Sequence, residues 1–589
     1  RSTGNVDSLF RSYAGLGKAY EGMEEYGKAE EYYGKAMRVT EEMRSALLPS
    51  ERKNFFHVKI GGIARSEPAK GLTRVRMKLN QSDGSIETSE ATRARAFADH
   101  VAENSLAGST GIPQDVLGKE RSLVNRVVSL RKQLADTNKE KEPANYELLS
   151  GEVKDAEKDL DAFAADLWKK HPAYAAVKFP KPVSLKDSAI KPEEHVVIFD
   201  VSNEGVGVKL IQDKKIYQTF YTQWPISDME QDIRKFREPF EKLDFKGFDV
   251  SLAQSLYKKL LLRVLVDVPK GTPLIIIPDG PLATLPFEAL VTAGVAKWSS
   301  APMQEFPDQF REYPDGLTYL GDEYPISYYQ SITALTLTRN VETVNASRNT
   351  LLVMADPVFS MHDARAQKAK AMNMAESEKK QNMELMKAIE DEQEGFSGLK
   401  RLPKTRLLAE NLEKMFGSEC TALTGLNANK SDFISKIAPK LYTFDNVVFA
   451  THGVMSTEIP GLMEPFLALT MAPPGTDGFL KMSEIMSLRM NADVVALTAC
   501  QTGLGKDLSG EGVMSMGRAF QYAGAKSVLM SLWEVEEKSA VTITESFFRH
   551  RKQGMSKLEA LKAARDDIRK DGYMHPYFWS AFILVGETM

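Results

Sequence analysis

The spacing of apolar and polar positions divides the chain into a helical first third and a longer stretch of alternating strands and helices. Over the first 40 residues, Leu16-Gly17, Tyr20, Ala29, Tyr33 and Ala36 recur at the spacing of a tetratricopeptide repeat. In such a repeat small residues let two helices approach and tyrosines fill the groove between them. A generic helical hairpin gives the same pattern, and Glu41 stands where the repeat usually carries proline. Residues 41 to 110 continue as irregular helix, with breaks at Glu67-Pro68 and between Gly108 and Pro113. Two longer stripes follow: Leu123, Val127, Leu130 and Leu134, then Leu149, Val153, Ala156, Leu160, Phe163 and Leu167. Their spacings of three and four are those of packed helix faces, and Glu142-Pro143 between them predicts an antiparallel hairpin.

After Pro180-Lys181-Pro182 the pattern becomes that of strands. His195 to Phe199 and Gly205 to Ile211 flank the turn residues Ser202-Asn203-Glu204. An amphipathic helical stretch leads to a short buried strand at Pro273 to Pro281; Leu282 to Leu290 reads as helix, and Ile326 to Tyr329 as a further strand. Neither His nor Cys ends these strands, so this part is expected to be catalytically empty. A second series opens at Leu351 to Pro357 and is interrupted by a Lys-, Glu- and Met-rich insertion over 361 to 400, which reads as a solvated surface loop or as an activation segment. The series resumes with a helix from Thr405 to Phe416, an apolar strand from Asn446 to Ala450, and another from Asp493 to Thr498. A helix from Gly512 to Tyr522, a strand from Ser527 to Leu532, a helix from Lys557 to Arg569 and a closing strand from Ser580 to Val585 complete it. This alternation predicts a mainly parallel sheet with helices on both faces.

Composition narrows the setting. At 589 residues the chain exceeds one core, and 43% hydrophobic with 26% charged residues is the make-up of a soluble globular protein. A net charge of -4 gives no electrostatic footprint for nucleic acid, and no apolar run reaches the length of a membrane span. The chain opens Arg1-Ser2-Thr3 without Met, and a longer N-terminus is expected to have been removed. Only Cys420 and Cys500 are present, which excludes a disulfide framework and points to a reducing, cytoplasmic setting.

The candidate chemistry lies at two strand ends. One strand runs into Thr451-His452-Gly453, the other into Ala499-Cys500-Gln501-Thr502-Gly503. Parallel sheets build their sites where strands end, and an imidazole beside a thiol can activate it for attack on a carbonyl. Gly453 exposes a backbone N–H that can serve an oxyanion. Taken singly, each residue has a plainer reading, the thiol as a small core side chain and the histidine as structural. The glycines at 503, 505, 510 and 512 lack the Gly-Lys-Ser/Thr of a phosphate loop, and Cys420, His550 and His575 lack metal-ligand spacing, so no cofactor and no metal is expected. His575, in His575-Pro576-Tyr577-Phe578-Trp579, reads as structural.

Several of these segments in series closely resemble CHAT peptidases, the caspase-like clan CD proteases that accompany tetratricopeptide repeats. They are Asn446 to Gly453, Leu497 to Gly505, Gly510-Glu511-Gly512, Ala523 to Val528, Ser531-Leu532-Trp533 and His575 to Phe582, joined by Pro278 to Leu282 and Leu285 to Leu290. The resemblance covers roughly residues 180 to 589. It implies an α/β caspase-like fold, with a pseudo-caspase half over 179–345 and an active half over 346–589. Before these come a tetratricopeptide-like helical region over 1–110 and the helical hairpin over 111–178. It further implies that His452 is the general base, Cys500 the nucleophile and the Gly453 N–H an oxyanion donor, with no third acid.

By the same resemblance, substrate adds as a strand beside Ser531, Leu532, Trp533 and Glu534. Relatives such as legumain, gingipain and separase select the residue before the cut with a pocket acid. Glu536 is the candidate here, favouring Lys or Arg, unless it is an exposed acid at a helix N-terminus; Thr498 is a second candidate for the pocket wall. The implied function is a cytoplasmic endopeptidase in bacterial anti-phage defence, activated through its helical N-terminal region by a regulatory protein or ribonucleoprotein. Its expected substrate is a protein, a gasdermin-like pore former or another product of a neighbouring gene, with CRISPR-associated substrates included. No membrane and no direct nucleic-acid partner is expected. The alternative is a non-catalytic scaffold in which repeat and CHAT units only bind partners.

Overall fold

A computed structural model describes residues 3–45, 58–81, 83–91, 93, 113–137, 141–170, 183–301, 311–340, 349–360, 363–366, 399–454, 465–471, 478–498 and 511–589. The chain divides into two compact units: 1–190, 198–225 and 330–341 form the first; 191–197, 226–329 and 342–589 form the second.

In the first unit, helices Thr3–Gly22 and Tyr26–Ser45 pair, and Glu67–Lys78 packs beside them. The expected division of labour between small and aromatic residues holds. Ala29 and Ala36 are fully buried, and the Tyr33 ring fills the space between helices. A Cβ on Gly17 would stand 2.6 Å from that ring, and one on Gly71 2.4 Å. Both positions therefore need glycine for close approach rather than for backbone freedom. The Tyr33 hydroxyl donates to Glu21 at 2.7 Å, and Glu21 also receives two hydrogen bonds from Arg74, each 2.7 Å. With no proline at Glu41, the second helix runs on to Ser45.

Helices Gln114–Asp136 and Pro143–Lys170 carry the two long stripes. Pro143 sits at the start of its helix, where its missing N–H costs nothing. Leu123 packs against Phe163 and Leu167, and Val127, Leu149, Val153 and Ala156 are buried. Strands Gly205–Gln212 and Lys215–Gln223 form a hairpin whose two turn residues, Asp213 and Lys214, have φ of 49° and 57°. Both values are those the twist of a two-residue turn requires. Glu90 is buried and accepts from the N–H groups of Ile332 and Thr333 at 3.1 and 3.0 Å, so it caps the helix Ile332–Asn340.

The second unit holds eight strands of a sheet in the order Cys420–Thr424, Leu351–Ala355, Asn446–Ala450, Val494–Thr498, Ser527–Ser531, Phe582–Gly586, Ile326–Tyr328, Leu274–Ile277. The first five are parallel to one another and the last three are parallel to one another. The two sets meet along one antiparallel seam, Ser527–Ser531 against Phe582–Gly586. The central strands are buried at every residue, as sheets covered on both faces require.

Several elements depart from the sequence reading. Leu282 to Leu290 is not one helix but two short 3-10 turns, Gly280–Thr284 and Phe287–Ala289, because Pro286 interrupts it. An antiparallel ribbon, Val291–Ser300 with Glu312–Tyr319, follows. A sixteen-residue helix, Glu537–Lys552, lies between the seam strands.

Candidate functional site

The strands Asn446–Ala450 and Val494–Thr498 are adjacent, parallel and in register from Asn446↔Val494 to Ala450↔Thr498. His452 follows the first strand's last paired residue by two positions, and in sequence Cys500 follows the second's by two. Cys500, like Gly503, Gly505 and most of the 361 to 400 insertion, lies outside the described residues.

His452 is buried, and its ring packs on Phe359 with centroids 5.2 Å apart. Nε2 stands 2.8 Å from the main-chain oxygen of Lys400. A carbonyl can only accept, so Nε2 carries the proton and Nδ1 keeps its lone pair. Nδ1 is buried with no hydrogen-bond partner among the described residues. Burial pulls the imidazole below its ordinary pKa, opposed by the Lys400 hydrogen bond and the Glu534 charge. The ring is thus neutral at pH 7, oriented through one nitrogen and basic at the other. The Lys400 carbonyl is a functional group the sequence reading missed, since a main-chain oxygen leaves no residue-type signature.

Gly453 begins a small antiparallel sheet, with Gly453↔Leu467 and Val454↔Phe466 paired. The Ala468 N–H donates to the His452 carbonyl at 2.8 Å. That bond makes Gly453–Leu467 a non-hydrogen-bonded pair, so the Gly453 N–H points away from its partner strand. An oxyanion donor needs such an orientation.

The expected pocket residues fare differently. Thr498 is fully buried and its hydroxyl meets that of Thr544 at 3.0 Å, which ties it to the helix Glu537–Lys552. Ser531 pairs with Phe582 inside the seam. The Leu532 N–H donates to Ala581 O at 2.9 Å, and its carbonyl accepts from Arg237 at 3.2 Å. The Leu532 main chain is thus engaged at both its N–H and its carbonyl, while Trp533 and Glu534 continue past the seam. Trp533 is buried, stacked on Phe240 at 4.8 Å, and its indole donates to Tyr577 O.

Glu536 caps the helix Glu537–Lys552 by accepting from Ser539 N–H at 2.9 Å, and its other oxygen holds Lys404 at 2.8 Å. Glu537 accepts from Lys404 and Thr405 N–H, at the start of the helix Pro403–Phe416. His575 accepts from Tyr577 N–H and meets Phe245 O, each at 3.2 Å, and burial pulls its pKa down to about 3. It is a structural residue, as its sequence context implied. Among the described residues no three or more His, Cys, Asp or Glu side chains gather as a metal site, and no helix is long and apolar enough to cross a membrane.

Two parallel strand sets joined at an antiparallel seam, with a histidine just past a central strand, define a caspase-like α/β protein. Residues 250–587, more than half of the chain, match the profile of the CHAT domain, and the chain belongs to that family. The match starts later than the resemblance from about residue 180. Tetratricopeptide repeat protein 28 of Mus musculus is 26% identical over 123 residues, and that of Homo sapiens 28% over 123. Each match spans 21% of this chain and 5% of the relative. Two crystal structures of the Saccharomyces cerevisiae separase–securin complex align at TM-scores of 0.38 and 0.36, with 9% and 11% identity. They cover 99% and 98% of this chain, which spans 50% and 47% of theirs.

Proposed function

We propose that the chain is a cysteine endopeptidase in which His452 and Cys500 act as a dyad. One observation carries this: a buried imidazole whose Nε2 proton is fixed on the Lys400 carbonyl, with no partner for Nδ1 among the described residues, on a residue just past the strand paired with the one that leads to Cys500. In the proposed step Nδ1 takes the Cys500 thiol proton as sulfur attacks the substrate carbonyl carbon. The oxyanion is stabilised by the Gly453 N–H. The C–N bond then breaks, the imidazolium returns its proton to the leaving amine, and water hydrolyses the thioester.

Trp533 and Glu534, past the last hydrogen bond of the seam, would receive the substrate backbone. The Glu536 carboxylate already holds the Lys404 ammonium, and a substrate Lys or Arg exchanging with Lys404 gives a preference for basic sites. Thr498 would act at most as a fixed wall behind the pocket. The cleaved partner is proposed to be a protein of bacterial anti-phage defence, a gasdermin-like pore former or a CRISPR-associated protein. Activation would pass through the helical N-terminal region, when a regulatory protein or ribonucleoprotein binds it in the cytoplasm.

Proteomic cleavage mapping with the native protein, Cys500→Ala and His452→Ala tests this. New peptide termini are expected only with the native protein, each variant losing at least about 1000-fold in rate. Iodoacetamide adds a substrate-free measurement, and Cys500 should alkylate faster at pH 7 in the native protein than in His452→Ala. Equal alkylation in both, with no new termini, favours the scaffold alternative.

A further inference from the structure

Asp356 is the buried end of the strand Leu351–Ala355, one residue past Ala355, which pairs with Ala450. Its φ of 48° places a non-glycine residue in the left-handed region, a strain held only where the surroundings impose it. Two guanidinium groups impose it. Arg401 grips the carboxylate in a fork, Nε to Oδ1 and Nη2 to Oδ2, both 2.9 Å. Arg365 donates to Oδ2 at 2.7 Å and to the Asp356 carbonyl at 3.0 Å. The Asp356 N–H in turn donates to the Thr405 hydroxyl at 2.9 Å.

Arg401 directly follows Lys400, whose carbonyl meets His452 Nε2. That carbonyl belongs to no strand or helix, so regular secondary structure does not hold it in place. The nearest fixed point along the chain is the Arg401–Asp356 fork, anchored to the strand beside the one that carries His452. From this geometry we infer that Asp356 and Arg401 are positioning residues, which hold the Lys400 carbonyl against Nε2 and thereby fix the imidazole tautomer. The inference rests on the dyad reading for its catalytic consequence but not for its structural one. A planar, two-pronged guanidinium suits the task because it fixes direction as well as distance, which a lysine ammonium does not.

The test uses the full chain with 15N-labelled histidine and reads the His452 ring tautomer by NMR, the resonance assigned with His452→Gln. Arg401 is half-exposed, so Arg401→Ala is the variant least prone to unfold, with Arg401→Lys as the conservative partner. Arg406→Ala, which removes an exposed arginine paired with Glu410, is the control for lost charge.

In the native protein Nε2 should be protonated. In Arg401→Ala both tautomers should be populated, Arg401→Lys should be intermediate, and Arg406→Ala should match the native protein. Iodoacetamide alkylation of Cys500 should slow on the order of 10- to 100-fold in Arg401→Ala. Its acid limb should move to lower pH, because losing the carbonyl removes a contact that favours the imidazolium. A role confined to stability would lower the folded fraction and leave the limb in place. A native tautomer and an unmoved acid limb in folded Arg401→Ala overturn the inference. A changed tautomer in a chain that cleaves nothing upholds the clamp while removing the peptidase reading.

Discussion

His452 and His575 are both buried, and burial lowers the pKa of each, but their nitrogens are used differently. His575 has both nitrogens engaged and stacks on Phe245 at 4.3 Å, whereas Nδ1 of His452 has no partner among the described residues. The first is therefore expected to govern stability and the second reactivity. For His575 the folded pKa of about 3 lies below the ordinary value of 6.5, so the unfolded chain binds a proton that the folded one refuses. Its contribution is complete above pH 6.5 and is lost as pH falls from there towards 3. Between pH 7 and pH 5 the native protein should lose about 2 kcal/mol through this residue. His575→Gln should lack that share of the slope when urea unfolding is measured at both pH values; an identical slope would remove the assignment. His452 adds a dependence of the same sign that both proteins share.

At the scale of elements, the strands were legible where four or five apolar residues run together, as at Leu351–Ala355, Asn446–Ala450 and Val494–Thr498. Burial on both faces leaves no other composition for them. The helix Glu537–Lys552 was not read, because its buried face is built from Ser539, Ala540, Thr544 and Ser546 as well as Ile543 and Phe547. The ribbon Val291–Ser300 was missed for the opposite reason, since most of its length is not buried and shows no core-facing stripe. At the site, residue types singled out His452 and the Asn446–Gly453 strand end as candidates, but not the Lys400 carbonyl or the Asp356 fork, which arise only from folding. Glu536 shows the limit of reading an acid by type, because cap and pocket acid look alike in sequence. Glu536→Gln keeps a cap oxygen and loses the charge. Loss of helix stability should stay near 1 kcal/mol or below, while cleavage after Lys and Arg should fall by at least tenfold relative to other sites. Unchanged site preference in the cleavage map would leave Glu536 as a cap alone.

At the scale of the second unit, the antiparallel seam joins the strand set that leads to His452 to a set that carries neither member of the proposed dyad. Two buried arginines hold main-chain oxygens at one end of the seam, those of Phe582 and Leu532. Arg565 donates to Glu288 at 2.9 Å and to Phe582 O at 2.5 Å, and Glu288 also accepts from Tyr328 at 2.7 Å. Arg237, on the helix Ile226–Glu241, donates to Thr284 O at 2.8 Å, Leu532 O at 3.2 Å and Glu241 at 3.1 Å. Because Leu532 immediately precedes Trp533 and Glu534, the guanidinium fixes the segment proposed to receive substrate from a part of the chain that holds no nucleophile. Burial lowers the Arg237 pKa, and the Glu241 charge opposes this; the residue remains cationic because arginine lies so far above neutrality. Replacing it by methionine keeps most of the volume but leaves two carbonyls without their donor, at a cost of about 2 to 4 kcal/mol. If the segment is fixed in this way, Arg237→Met should also raise KM for a peptide substrate more than it lowers kcat, while Cys500 alkylation in the folded variant stays native. Slower alkylation with unchanged KM would instead place the effect of Arg237 on the dyad.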